Sequence, residues 1–397
     1  MGELVLRELR AEDVDATAEL LAARGDAADA VDFRLVLEDR DAGPGWVAVV
    51  VDGDRVVSTA MLMDETLRVG RPGEDAVDLP VGQVELVATD PEYEGRGLVR
   101  RLMGWAHERS RQRGHLAQVM IGIPFFYRQF GYAYAMPQPR WRTLAAPVPP
   151  APGVTVRAAT EADIPAMHAL QEAVPADVRM PHSAACWRWL VHRDGTDQLV
   201  AERDGRVVGT ARVVPPPEDV AIGELAAVDA EAAYALLTHV AAAGPVVAER
   251  PGTPAGDAVD ALLAPPSEVD PKHWWYYARV EDLGSLLLAL EPLLVSRLPA
   301  DAKPVDLLIS SFRSHVRFTI GPDGIGGLTR GGPEQAPLGK GGCGVPPDAL
   351  PGLVLGPYGA LGLEERLPDC YLGPTRELMG TLFPPMRSDL LTYYLPA

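Results

Sequence analysis

Four prolines fall within the eight residues Ala146-Pro147-Val148-Pro149-Pro150-Ala151-Pro152-Gly153. Each fixes φ and lacks an N–H, so neither a helix nor a central strand runs through this stretch. A chain of 397 residues exceeds one ordinary domain, and the first boundary is placed here. The pattern restarts beyond it. Val156-Arg157 with Asp163-Ile164 repeats the spacing of Leu6-Arg7 with Asp13-Val14. Asp204-Gly205 joins two apolar runs as Asp52-Gly53 does. Both likenesses predict a second copy of one fold. A third region opens near Val280, with a helix signal over 283–290 and strand signals over 305–310 and 316–320. The expected fold class is α+β (α/β mixed), in units 1–146, 154–280 and 281–397.

Within the first unit, residues 4–8 read as a strand and 13–23 as a helix. Residues 46–51 and 56–63 read as a hairpin, and 83–88 as another strand. Leu98, Leu102, Trp105 and Ala106 recur at helical spacing over 98–113, with Gly114 as the stop. Residues 116–123 form a short apolar run, the mark of a buried strand. Residues 132–135 and 141–144 are expected to close the sheet.

Net charge is −19, a field that repels nucleic acid and anionic membranes and attracts amines. Lysine is confined to Lys272, Lys303 and Lys340. Cys186, Cys343 and Cys370 are odd in number and form no CxxC, which argues against a disulfide framework or a zinc site. His107, His168, His182 and the other histidines form no HxxxH pair, so no metal is expected. No apolar stretch reaches membrane-spanning length. The start, Met1-Gly2-Glu3-Leu4, carries no secretion signal, and a cytoplasmic location is expected. Trp274-Trp275-Tyr276-Tyr277 is expected in core packing or a subunit contact, and a homo-oligomer is expected.

Two segments carry chemistry. Val84 to Leu98 reads strand, turn, glycine loop and helix. Gly95 and Gly97 let backbone N–H groups approach a phosphate, and the helix start adds unpaired N–H groups and the positive end of its dipole. Arg96, Arg100 and Arg101 supply local positive charge in an acidic chain. A dinucleotide fingerprint is excluded, because Arg100 stands where a third glycine is required. Gly339-Lys340 lacks the serine or threonine of a P-loop. The second segment, Gly122-Ile123-Pro124-Phe125-Phe126-Tyr127-Arg128-Gln129-Phe130-Gly131-Tyr132, follows the buried strand. Pro124 suits a helix start and Gly131 its end.

Together these segments resemble the GNAT superfamily of acyl-CoA N-acyltransferases. Gly97 matches the first glycine of that family's loop, with Gly95 and Arg96 before it. Glu94 stands where the family has glutamine or arginine, and Val99 where it has glycine or alanine. Tyr127, Gly131 and Tyr132 match its later tyrosine and glycine-aromatic pattern. Domain order resembles the Eis (enhanced intracellular survival) branch: an active GNAT domain, a degenerate one and a sterol-carrier-like C-terminal domain. The resemblance implies acetyl-CoA as co-substrate, with no metal, and a small-molecule or lysine amine as acceptor, aminoglycosides and polyamines included. It places the cofactor on Leu86, Val87, Ala88, Thr89, Glu94, Gly95, Arg96, Gly97, Leu98, Val99, Arg100, Gly122 and Ile123. The segment 223–231 of the second unit has acidic residues instead of a glycine loop, so that unit is not expected to bind CoA.

The resemblance further implies Tyr127 as general acid. For the proton acceptor three readings stay open: the C-terminal carboxylate, here of Ala397, as in the Eis branch; Glu85 on the central strand; or water. An acetyl-CoA-responsive or lipid-binding protein without turnover is the alternative to an N-acetyltransferase.

Overall fold

The computed structural model describes residues 3–38, 44–71, 73–214, 220–240, 244–265 and 274–390. Three sheets organise them. In the first, β1 (Leu4–Glu8), β2 (Val47–Asp52), β3 (Arg55–Val69) and β4 (Val77–Thr89) run antiparallel, and β5 (Ala117–Met120) lies parallel to β4. Helices α1 (Val14–Arg24), α2 (Ala27–Glu38) and α3 (Leu98–Gln112) accompany them. β6 (Ala133–Pro137) follows.

The second sheet takes β7 (Trp141–Thr143) and β8 (Thr155–Ala158). β9 (Val178–Met180) returns to the edge of β3. β10 (Asp197–Arg203), β11 (Arg206–Val214), β12 (Ala221–Ala227) and β13 (Val246–Ala248) complete the second sheet, in the order β7-β13-β12-β11-β10-β8. β14 (Trp275–Val280) inserts between β5 and β6 of the first sheet, antiparallel to both. The third sheet holds β15 (Val305–Ser310), β16 (His315–Gly321), β17 (Gly324–Gly331) and β18 (Cys343–Gly344). β19 (Ser388–Leu390) pairs with β9.

The fold is mixed α+β, as expected, with a repeat that extends to side chains. Both Arg7 guanidinium nitrogens donate to Asp13, at 2.5 and 2.8 Å, and both of Arg157 donate to Asp163, at 2.8 Å each. Each carboxylate also accepts from the backbone N–H three residues before it, at 2.8 Å. The arginine on the opening strand thus docks onto the first turn of the following helix, once per unit. Bidentate geometry makes this a strong form of ion pair.

Several expectations need correction. Residues 141–144 do not close the first sheet: β7 pairs with β13 in the second, and the first sheet ends on β6, joined to β5 through β14 from far along the chain. The long hairpin arms β3 and β4 extend beyond the expected ends. Their outer halves bury Leu67, Val69, Leu79 and Val81 against Leu286, Phe318 and Met379 of the C-terminal unit, in one shared core. α2 was not expected. It buries Phe33 and Val36 in a cluster with Trp187 and Leu190 from the second unit. On α3, Leu98, Leu102 and Ala106 are buried as the spacing predicts, with Met103 and Ser110 beside them, while Trp105 is half-buried.

Burial and the Arg157 pair act oppositely on Asp163, and the hydrogen bonds to Arg157 prevail, so its carboxyl titrates below the ordinary range. A carboxyl with a depressed native pKa stabilises the fold above its unfolded value of about 3.9 and loses that contribution on acidification. Asp163→Ala is expected to cost about 1–2 kcal/mol at pH 7, the scale of a lost helix cap. The gap to the parent chain should narrow as pH falls below about 4, read from urea unfolding midpoints at pH 7 and pH 3.

Candidate functional site

The site begins where two parallel strands part. β4 pairs with β5 from Val81↔Ala117 to Gln83↔Val119, yet β4 runs on to Thr89. On its other side, Thr59 faces Ala88 and Met61 faces Glu85, so Leu86 and Val87 share the single partner Ala60. This bulge puts Leu86 at φ 49°, a conformation that costs a non-glycine residue about 1–3 kcal/mol. Among the described residues, no side chain bonds the backbone of Leu86 or Val87.

The parted strands open onto a cavity of about 500 Å³. Val87 and Thr89 line it from β4. Glu94, Gly95, Gly97, Leu98, Val99 and Arg100 line it from the loop and the start of α3. Ile123 and Tyr127 line it from the far side, so the two segments singled out in the sequence meet here. Gly95 and Gly97 both have φ 73°. A Cβ on either would meet nothing within 4 Å, so glycine is required by conformation rather than by space. No side chain caps the start of α3. Its first intrahelical bond runs from Arg101 to the Gly97 carbonyl, which leaves the N–H groups of residues 98–100 without a helical acceptor. An uncapped helix start behind two glycines and an open cavity fits a linked phosphate group.

The arginines divide. Arg100 lines the cavity and donates to Gln129 at 2.8 Å. Arg96 stacks over Tyr93 and donates to the Glu92 carbonyl, and Arg101 donates to the Leu4 carbonyl. Neither lines the cavity. Arg24, at the end of α1, does, and the sequence reading missed it. It pairs with Glu94 at 2.6 Å, which neutralises the acidic residue in the loop. Leu86, Ala88 and Gly122 also stand outside the lining. Ala397 lies outside the described residues.

Tyr127 sits on the short 3-10 turn Phe126–Phe130, which ends at Gly131 with φ 87°. The residue is buried, and its hydroxyl makes no hydrogen bond among the described residues. Burial first, then the nearby charge of Glu85, pushes its phenol up to about 12. A Cβ on Gly122 would lie 2.3 Å from the Tyr127 ring, so this glycine gives the ring its seat. Glu85 is buried, not solvent-facing, and accepts from Gln83 at 2.5 Å.

The second unit repeats the bulge and closes it. Thr210 faces Ala226 and Arg212 faces Gly223, leaving Glu224 and Leu225 opposite Ala211, with Glu224 at φ 53°. Here Gln171 donates to the Glu224 carbonyl and Arg250 to the Leu225 carbonyl. The Glu224 carboxylate pairs with Arg212 at 3.0 Å, and His182 Nε2 lies 3.2 Å from it. Asp229 caps the following helix by accepting from Ala232 at 3.0 Å, so that helix start has no room for an anion.

Residues 6–135 match the family model for the acetyltransferase (GNAT) domain. The chain carries a GNAT acetyltransferase domain. No curated protein matches the chain significantly. Among solved structures, a GCN5-related N-acetyltransferase from Kribbella flavida is similar at 20% identity and TM-score 0.67, over 99% of this chain and 100% of that one. A probable N-acyltransferase from Enterococcus faecalis V583 has 14% identity and TM-score 0.73, over 99% and 100%. Eis1 from Mycobacterium abscessus has 17% identity and TM-score 0.59, over 96% and 97%. At these identities the likeness is one of fold, and it spans the whole chain. The GNAT domain implies use of acetyl-CoA. Among the described residues there is no group that could hold a metal ion, and no helix is long and apolar enough to cross a membrane.

One neighbour of Tyr127 lies outside the matched segment. Tyr277 of β14 stacks on Tyr134 with ring centroids 4.2 Å apart and meets the Tyr127 ring edge-on at 6.0 Å. The aromatic run containing it was expected in core packing or a subunit contact, and its first residue, Trp274, is exposed. Tyr276 and Tyr277 are indeed fully buried, while the pairing that carries Tyr277 to the site is visible only in the sheet.

Gly122→Ala tests the seat of the phenol. The added methyl should displace the Tyr127 ring and lower kcat by roughly 100-fold, the penalty of an ångström-scale misplacement. Acetyl-CoA affinity, set at the glycine loop, should stay within about twofold, as measured by calorimetric titration.

Proposed function

We propose that this chain transfers the acetyl group of acetyl-CoA to a cationic amine, by direct attack within a ternary complex. The carrying observation is the single cavity that joins an uncapped, glycine-flanked helix start to an unbonded buried phenol. Acetyl-CoA supplies the acetyl group as a thioester. The backbone N–H groups from Gly95 to Val99 hold the pyrophosphate, with Arg24 and Arg100 on its rim. The backbone at Val87, which lines the cavity, orients the thioester carbonyl.

Tyr127 donates a hydrogen bond to the sulfur that leaves. An ordinary thiol titrates near 8.5, well below the buried phenol, so full transfer is uphill if only the phenol is perturbed. The same apolar surroundings raise the affinity of a thiolate for a proton, which narrows the gap. Stabilising developing charge with a fixed donor requires no completed transfer. With its pKa pushed up to about 12, the phenol keeps its proton throughout the neutral range.

The amine must shed its proton first. An amine with a pKa of about 10.4 lies some three units above neutral pH, which costs roughly 4–5 kcal/mol. Glu85, buried on β4 and close enough to raise the Tyr127 pKa, is the proposed acceptor, directly or through water. The net charge of −19 draws amines toward the protein. Aminoglycosides, polyamines and lysine side chains all carry the required group.

Release of free CoA thiol, followed across a panel of these amines, tests the proposal. At least one amine should be turned over, and failure across the panel with acetyl-CoA bound would leave a binding protein instead. Tyr127→Phe should cut kcat by about 10²–10³-fold, the range for loss of one charge-stabilising donor, with acetyl-CoA affinity retained. In the parent chain, Tyr127 should impose no alkaline fall in kcat/KM below about pH 11, because the raised pKa of the phenol places its deprotonation beyond that point.

A further inference from the structure

The Ile123–Phe125 approach to Tyr127 is held by its backbone, whereas Phe126, Tyr127 and Phe130 beyond it pack into an aromatic cluster. Ile123 and Phe125 are 66% and 73% exposed, so neither anchors the segment in the core. Phe125 has φ 69°, a left-handed conformation that a bulky residue keeps only where its surroundings enforce it. One hydroxyl supplies two of the enforcing contacts. Tyr277 Oη accepts from the Phe125 N–H at 2.7 Å and donates to the Ile123 carbonyl at 3.3 Å. Tyr277 lies 152 residues beyond Phe125 in sequence. It is fully buried, and its strand is fixed on both sides by pairing with β5 and β6. A rigid strand thus grips a strained loop two residues before the phenol, while Gly122 leaves the space that the Tyr127 ring occupies.

We propose that Tyr277 is a positioning residue for acetyl transfer: its hydroxyl holds the Ile123–Phe125 backbone so that the Tyr127 phenol faces the cavity. Tyr277 does not line that cavity among the residues that form it, so it acts through Tyr127 and not on substrate. The inference rests on the reading of Tyr127 as the donor to the leaving sulfur.

Tyr277→Phe in the full chain removes the hydroxyl and leaves the ring stack intact. Rates are normalised to acetyl-CoA binding sites counted by titration, so loss of folded protein does not enter them. The expected result is a fall in kcat of roughly 10–100-fold, since small misplacements of a reacting group are costly, with KM for acetyl-CoA within about twofold. Tyr127→Phe/Tyr277→Phe should be no slower than Tyr127→Phe alone, because a clamp has nothing to position once the phenolic hydroxyl is gone. An unchanged kcat in Tyr277→Phe, beside a slow Tyr127→Phe, overturns the clamp and leaves the donor reading intact. Multiplicative losses in the double variant also overturn it, since Tyr277 would then act by another route. An unchanged kcat in Tyr127→Phe removes the donor reading itself, and this inference with it.

Discussion

Backbone pairing governs this molecule more than any single side chain. Neighbouring strands give up their ladder only where something else meets the exposed N–H and C=O groups. β4 and β5 stop pairing after Gln83↔Val119, while β4 bulges at Leu86–Val87 and keeps its ladder with β3 through Ala88 and Thr89. The cavity, the approach of the glycine loop and the place of Tyr127 all follow from that parting. Without it, β4 and β5 would be an unbroken parallel pair with no room for a ligand between them.

The second unit shows how the same geometry is silenced. Its bulge at Glu224–Leu225 copies the one at Leu86–Val87 residue for residue in register. Yet Gln171 and Arg250 bond its carbonyls, and Asp229 caps the helix that follows. Polar groups left open in the first unit are satisfied internally in the second. The side-chain bonds to the Glu224 and Leu225 carbonyls meet acceptors that a ligand would otherwise have to satisfy. The recurring bulge is thus open at Leu86–Val87 and bonded at Glu224–Leu225, and the segment with the bonded bulge packs Trp187 and Leu190 against α2.

Much of the fold was legible before any coordinates. Helical spacing marked α3, and the Arg7–Asp13 spacing recurred as Arg157–Asp163 because both build the same local ion pair. The glycine loop and the tyrosine turn were legible because each needs particular backbone angles, and Gly95, Gly97 and Gly131 are residues that adopt positive φ freely. Illegible features were those set by distant partners. Arg24 reaches the cavity from a different helix. Arg96 and Arg101, in the right place by sequence, turn to Tyr93, Glu92 and Leu4 instead. The reach of β3 and β4 depends on a C-terminal core that no local window contains.

Local chemistry alone determined which segments could hold a phosphate and which could carry a phenol, since turns and helix starts are decided by a few consecutive residues. Whether those segments face each other was decided by the tertiary structure. So was the membership of the sheet: β14 arrives from beyond the second unit to separate β5 from β6 and brings Tyr277 to the loop before Tyr127. Strand pairing is a contact between residues far apart along the chain, and hydrophobic alternation says only that a strand has partners, not which ones.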